Sequence, residues 1–201
     1  MALRGLATAL LLINFSSCYL STPSFATSDG YGFIQCLTHK IPGELIVTPG
    51  SSNFTSVLVS TSKNSNFLTN TTVKPICIVA VADASHAQAA VVCGCQNGVR
   101  LRVRSGGHDY EGLSYRSARA EVFAVVDLAN LRAITVSADE ECGPTAWVDS
   151  GATVGQLYYT IAKTNPELGF PAGECPTLGV GGHFSGGGIG MMMRRHGLAV
   201  D

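Results

Sequence analysis

The sequence predicts an α+β chain built around a parallel-strand α/β unit, and three consecutive segments predict it. Residues 75–82 form an unbroken apolar run, as expected of a strand buried on both faces. Asp83 then stands as an N-cap before an Ala- and Val-rich stretch that reaches about Gln96, and Gly98 follows as a natural terminator. Next, Val99, Leu101 and Val103 alternate with Arg100, Arg102 and Arg104, which predicts a period-two strand with one basic face. Strand, helix and strand at this spacing make a βαβ unit. It runs directly into Ser105-Gly106-Gly107-His108, and in open parallel sheets ligands sit beyond the carboxyl ends of the strands.

The other elements follow from similar signals. The first 26 residues carry one early cation, Arg4, then an apolar run from Leu6 to Phe15 and a small-residue stretch ending at Ala26. This is the pattern of a cleaved secretory signal, and the run is too short to span a bilayer. Residues 27–72 are polar with short apolar pieces, so a small helical or irregular segment is expected there, and residues 73–201 form the main domain. Further strands are expected at 122–128, 134–137 and 146–149. Thr153 caps a helix that places Val154, Leu157, Tyr158 and Ile161 on one face and stops at Asn165-Pro166.

Composition narrows the function. Formal net charge is -1 with 13% charged residues, so no electrostatic footprint for nucleic acid exists. Removal of the signal takes Cys18 and leaves Cys36, Cys77, Cys93, Cys95, Cys142 and Cys175, which can form disulfides in an oxidising compartment. Asn53-Phe54-Thr55 and Asn70-Thr71-Thr72 are glycosylation acceptors in polar surroundings and agree with export. His39 and His86 stand in no motif and are expected at the surface.

Two nucleophiles sit among glycines. His108 lies in the first loop, and Cys175 opens a run with seven glycines in residues 179–190. Glycine lets backbone amides approach a bulky anion closely. The run lacks the Gly-Lys-Ser/Thr of a phosphate-binding loop, the dinucleotide glycine spacing and any Gly-x-Ser-x-Gly turn. Cys93-Gly94-Cys95 does not have zinc-ligand spacing either, and no metal is expected. From the residues alone, the run binds an anion or cofactor by another scheme, or it is a glycine-rich crossing in a tightly packed core.

The stretches Arg102-x-Arg104-Ser105-Gly106-Gly107-His108-Asp109-Tyr110-Glu111-Gly112-x-Ser114-Tyr115 and Gly173-x-Cys175-Pro176-Thr177-x-Gly179-x-Gly181-Gly182-His183-Phe184-x-Gly186-Gly187-Gly188 resemble the plant berberine bridge enzyme-like proteins. Those are secreted FAD-linked oxidoreductases with a PCMH-type FAD-binding domain of the vanillyl-alcohol oxidase kind. The resemblance runs from about Phe33 to Asp201. It implies a first α/β subdomain complete and a second truncated, with the substrate-base residues beyond this chain, so no catalytic residue is assigned within it.

The resemblance also assigns roles. His108 matches the histidine bonded to the flavin 8α-methyl carbon and Cys175 the cysteine bonded to flavin C6, so the FAD is expected to be bicovalent. The double tether implies a raised flavin potential suited to accepting hydride from an alcohol, sugar or phenolic alcohol. Arg104, Ser105, Gly106, Gly107, Asp109, Ser114, Leu178, Gly179, Gly181, Gly182, His183 and Gly186 complete the expected cofactor set. Leu178 falls where oxygen access is controlled, and leucine there leans toward a dehydrogenase over an oxidase. Cys36 is implied to pair with Cys93, with Cys95 as the alternative, while Cys77 and Cys142 are expected as small buried apolar residues. A monomer is expected. Two other readings remain open: a secreted fragment that binds FAD without turnover, and an interaction protein without flavin.

Overall fold

A computed structural model describes residues 29–137 and 143–201. The expected signal segment, Cys18 and Cys142 lie outside the described residues. The chain opens with helix α1 (Gly30–Thr38), which Asp29 caps by accepting the N–H groups of Tyr31 and Gly32 at 3.0 Å. A short strand β1 (Ile46–Val47) and a short helix α2 (Phe54–Val59) follow. Strand β2 (Ile78–Ala80), helix α3 (Ala84–Asn97), strand β3 (Arg100–Arg104) and strand β4 (Phe123–Asp127) form the central unit.

The sheet order is β1-β2-β4-β3, with β1 antiparallel on β2 and the other three strands parallel. The βαβ unit therefore exists, but β4 is inserted between its two strands. All five residues of β4 are buried because both faces of the sheet are covered. Val79, Val81, Ala124 and Val126 pack with Phe33, Leu37, Ala90 and Cys93 of α1 and α3. Ile78, Phe123 and Val125 pack on the opposite face with Phe54, Leu58 and Tyr115. Cys36 is disulfide-bonded to Cys93, closing 57 residues of chain and tying α1 to α3. Cys77 is fully buried, and burial pushes its thiol up to about 12, which leaves it a small apolar filler.

Asp83 and Gly98 cap α3 as the sequence predicts: Asp83 accepts from Ser85 and His86, and Gly98 takes the left-handed conformation at φ 63°. Three expectations are corrected. The segment before residue 73 contributes the edge strand β1, because Ile46 and Val47 are apolar enough to pack on the sheet. The regular part of β2 is three residues, although Ile76 and Val81 continue its bonding to β4 on either side. His86 is half-buried and accepts the Ala82 N–H on Nδ1 at 3.3 Å, holding the start of α3.

The sequence predicts one basic face on β3, and the structure shows what that face meets. It is roofed by α2 and the loop before β4, so each cation finds a partner there. Arg100 and Arg102 share Glu121 at 3.0 and 2.7 Å, and Arg104 meets Asp127 at 2.5 Å. Arg104 is 0% exposed, whereas Val103 on the nominal core face is 60% exposed. Val103 is one of the residues left open to the cleft described below.

The remaining elements form a second, smaller core. Strands β5 (Ile134–Ser137) and β6 (Thr145–Val148) pair antiparallel, and helix α4 (Val154–Thr164) begins with a capping box between Thr153 and Gln156. Leu157, Ile161, Ala172 and Val180 pack together beneath it. The second glycine run is not all loop: residues Val180–Ser185 form helix α5, and Met193–His196 a single turn, α6.

Candidate cofactor site

Two glycine segments meet at the carboxyl end of β3. A side chain on Gly106 would collide with the backbone N of Gly179, and one on Gly179 with the backbone N of Gly106. Glycine at these two positions thus serves contact between the loops themselves. Gly107 adopts φ 67° with its α-carbon against the Thr61 carbonyl, a conformation and a clearance that both favour glycine. No hydrogen-bond acceptor among the described residues meets the N–H groups of Gly106, Gly107, His108 or Asp109. Successive free amides around a left-handed residue make a concavity suited to an anion.

The second segment is pinned to the start of α4. Val154 and Gly155 donate their N–H groups to the carbonyls of Leu178 and Pro176 at 2.8 and 3.0 Å. Between them, Cys175-Pro176-Thr177-Leu178 closes a turn through the Leu178 N–H and the Cys175 carbonyl at 3.1 Å, with proline presetting its second position. Ser105 donates its hydroxyl to the Ser150 carbonyl, adding a third tie across the junction.

This packing brings the two nucleophiles together. His108 Nε2 lies 2.9 Å from Thr177 Oγ1, and Cys175 Sγ lies 3.7 Å from the same oxygen. Burial, then the positive charge of Lys63, hold the His108 imidazole below its ordinary pKa, against an opposing contribution from the Thr177 backbone. The ring is therefore neutral and nucleophilic near pH 7.

Both residues line a cleft of about 940 Å³, within the range of small-molecule and cofactor sites. Ser105, Gly106, Gly107, Asp109, Ser114, Leu178, Gly179, Gly182, His183 and Gly186 line it as well. Ser114 Oγ is buried with no hydrogen-bond partner among the described residues, an unsatisfied group in the cleft wall. Gly182 has open space where a Cβ would stand.

Two expected cofactor residues are not in the lining. Arg104 is turned away and holds Asp127 with the Val57 and Leu58 carbonyls, so its work is to fix the strand that delivers the loop. Gly181 donates its N–H to the Ser150 carbonyl and leaves no room for a Cβ beside it. Two lining residues have a structural hold as well. Asp109 accepts the Leu113 N–H at 2.8 Å and shapes the loop turn. His183 Nε2 accepts the Gly173 N–H at 2.9 Å, and burial lowers its pKa, so the neutral ring latches the segment leading to Cys175.

Sequence reasoning missed Thr177 as the residue between the nucleophiles, although it stands inside the quoted motif. It also missed Val103, Tyr110, Leu113 and Ile189 in the cleft wall. Strand alternation put Val103 on the apolar face and gave no sign that it stands open to the cleft. Among the described residues no cluster of three or more His, Cys, Asp or Glu side chains could hold a metal ion, and no helix is long and apolar enough to cross a membrane.

Comparison with known proteins places this geometry. The profile described as "FAD binding domain" matches residues 75–201. Berberine bridge enzyme-like Cyn d 4 of Cynodon dactylon is 52% identical over 98% of this chain, and that match covers 38% of the relative. Berberine bridge enzyme-like 18 of Arabidopsis thaliana is 45% identical over 97% of the chain and 37% of the relative. Among solved structures, Phl p 4, a grass pollen allergen with glucose dehydrogenase activity, superposes with a TM-score of 0.80 at 53% identity, covering 83% of this chain and 34% of that one. The chain therefore spans little more than a third of the length of the relatives it matches.

Proposed function

The chain belongs to the FAD binding domain family, and from that premise we propose that it holds FAD in the cleft between its two glycine segments, tethered through His108 and Cys175. The observation that carries this reading is that an imidazole and a thiol, both in the wall of that cleft, converge on one hydroxyl, Thr177 Oγ1. The residues present fit the cofactor. Unpartnered amides at 106–109 suit a diphosphate, the orphaned Ser114 hydroxyl awaits a polar partner, and Gly182 leaves clearance for a flat ring.

Bound there, FAD supplies two-electron acceptor chemistry toward a C–H bond adjacent to oxygen. The chain contributes positioning. The Gly106–Gly179 contact sets the distance between the loops, Asp127 and Arg104 hold β3 rigid beneath them, and Leu178 forms part of the wall. A protein of the relatives' full length built on this unit would be a dehydrogenase or oxidase of an alcohol, sugar or phenolic alcohol. Leu178 in the cleft supports the dehydrogenase side. Its likeness to a protein with glucose dehydrogenase activity supports a sugar or alcohol donor.

Secretion agrees with the Cys36–Cys93 disulfide and with the exposed acceptors Asn53 and Asn70. The test is to express the chain in a secreting host and denature it in acid. Yellow colour that stays with the protein, lost only when His108→Ala and Cys175→Ala are combined, is expected. A colourless precipitate from the unaltered chain overturns the flavin reading and leaves an interaction protein.

A further inference from the structure

Thr177 has a function that the cleft alone does not require. Its hydroxyl is the one side-chain partner of both His108 and Cys175 among the described residues. The bond to His108 occupies Nε2, and Nδ1 meets no partner there. A threonine hydroxyl can accept one hydrogen bond and donate another. It can therefore take the Nε2–H of a neutral imidazole and still direct its own O–H toward the sulfur of Cys175. The residues on either side of Thr177 are fixed to the start of α4 through the Pro176 and Leu178 carbonyls, so the hydroxyl is held in place.

We propose that Thr177 is a positioning residue for cofactor attachment, holding His108 in the Nε2–H tautomer so that Nδ1 presents the free lone pair, and drawing Cys175 to the same edge of the flavin. The inference rests on the FAD reading above. Attachment at His108 forms one C–N bond at the ring methyl carbon while one methyl C–H and the imidazole N–H are lost. The two electrons and two protons remain on the reduced ring until an external two-electron acceptor, dioxygen or a quinone, removes them. The C–S bond has the same balance, with one S–H and one ring C–H lost. The Thr177 hydroxyl oxygen accepts the hydrogen bond of the Nε2–H until that proton passes to the reduced ring or to solvent.

Full chains carrying Thr177→Val and Thr177→Ser, mixed with FAD, test the assignment. Peptide mass spectrometry reads the rate of FAD attachment at His108 and Cys175 separately, with non-covalent FAD affinity measured in parallel. Loss of one oriented hydrogen bond is expected to slow attachment at His108 about tenfold in Thr177→Val. Affinity should stay within about twofold of the unaltered chain, and Thr177→Ser should restore the rate. Imidazole ¹⁵N NMR of the flavin-free chains at pH 8 reads the tautomer directly: Nε2–H in the unaltered chain and in Thr177→Ser, mixed in Thr177→Val. Unchanged attachment in Thr177→Val, failure of serine to rescue, or an Nδ1–H tautomer in the unaltered chain would each overturn the proposal. If the unaltered chain takes up no flavin, the FAD reading fails, while the NMR result still decides the role of Thr177.

Discussion

Replacing Asp127 with alanine tests how the site is supported from below. Arg104 is fully buried and divides its guanidinium among Asp127 Oδ2 at 2.5 Å, the Leu58 carbonyl at 2.8 Å and the Val57 carbonyl at 2.9 Å. Those carbonyls belong to the last turn of α2, where a cation is favourably placed. Asp127→Ala leaves that cation buried without a counter-charge, which costs about 3–5 kcal/mol. Against a total stability of about 5–15 kcal/mol, this is a large fraction. For a chain of this size it lowers Tm by about 6–20 °C. Thermal and urea unfolding followed by far-UV circular dichroism, with the disulfide intact, measures the loss. The paired change Arg104→Met with Asp127→Leu removes both charges and should be nearly neutral, because no unpaired charge stays behind. A loss under about 1 kcal/mol in Asp127→Ala, or a double variant as damaged as the single one, would refute the assignment of Arg104 to the scaffold.

Other outcomes follow from the same structure. Cys36→Ser with Cys93→Ser frees a 57-residue loop and should cost about 4 kcal/mol on the chain-entropy account, read as a lower urea midpoint. Gly106→Ala places a methyl group against the Gly179 backbone, so FAD uptake should be lost, while Gly182→Ala, with open space around it, should retain the fold on circular dichroism. The His108 pKa is lowered, chiefly by burial and then by Lys63, so attachment at His108 should stay constant as pH falls to the ordinary histidine range and decline only below it. Lys63→Gln removes one lowering cause and should move that decline to higher pH; a profile that stays in place or moves the other way contradicts the stated cause. The linked stability has the same sign: it is present above the ordinary histidine pKa and lost as pH falls through the lowered one.

Much of the fold was legible from local chemistry. The Asp83 and Gly98 caps, the Thr153 cap and the alternation through β3 depend on residues a few positions apart, so sequence alone located them. What alternation could not supply was which face of β3 is covered. The arginines read as one basic face; α2, Glu121 and Asp127 arrive from 19 to 47 residues away to partner Arg102 and Arg104, while Arg100 stays exposed. The insertion of β4 between β2 and β3 was hidden for the same reason, since strand order is set by contacts between residues far apart in the sequence.

The sequence by itself determined the inventory of the site: two nucleophiles, each among glycines, in stretches that resemble one family of FAD-linked oxidoreductases. Only the tertiary structure decided what the glycines are for and what stands between the nucleophiles. Gly106 and Gly179 lie 73 positions apart and need to be glycine because their backbones touch, a contact no spacing rule contains. Thr177 acquires its place through hydrogen bonds of its neighbours to α4, and only then do His108 and Cys175 converge on one oxygen. Residue type sets what chemistry is available; long-range packing sets which atoms face each other, and that is settled by the whole fold at once.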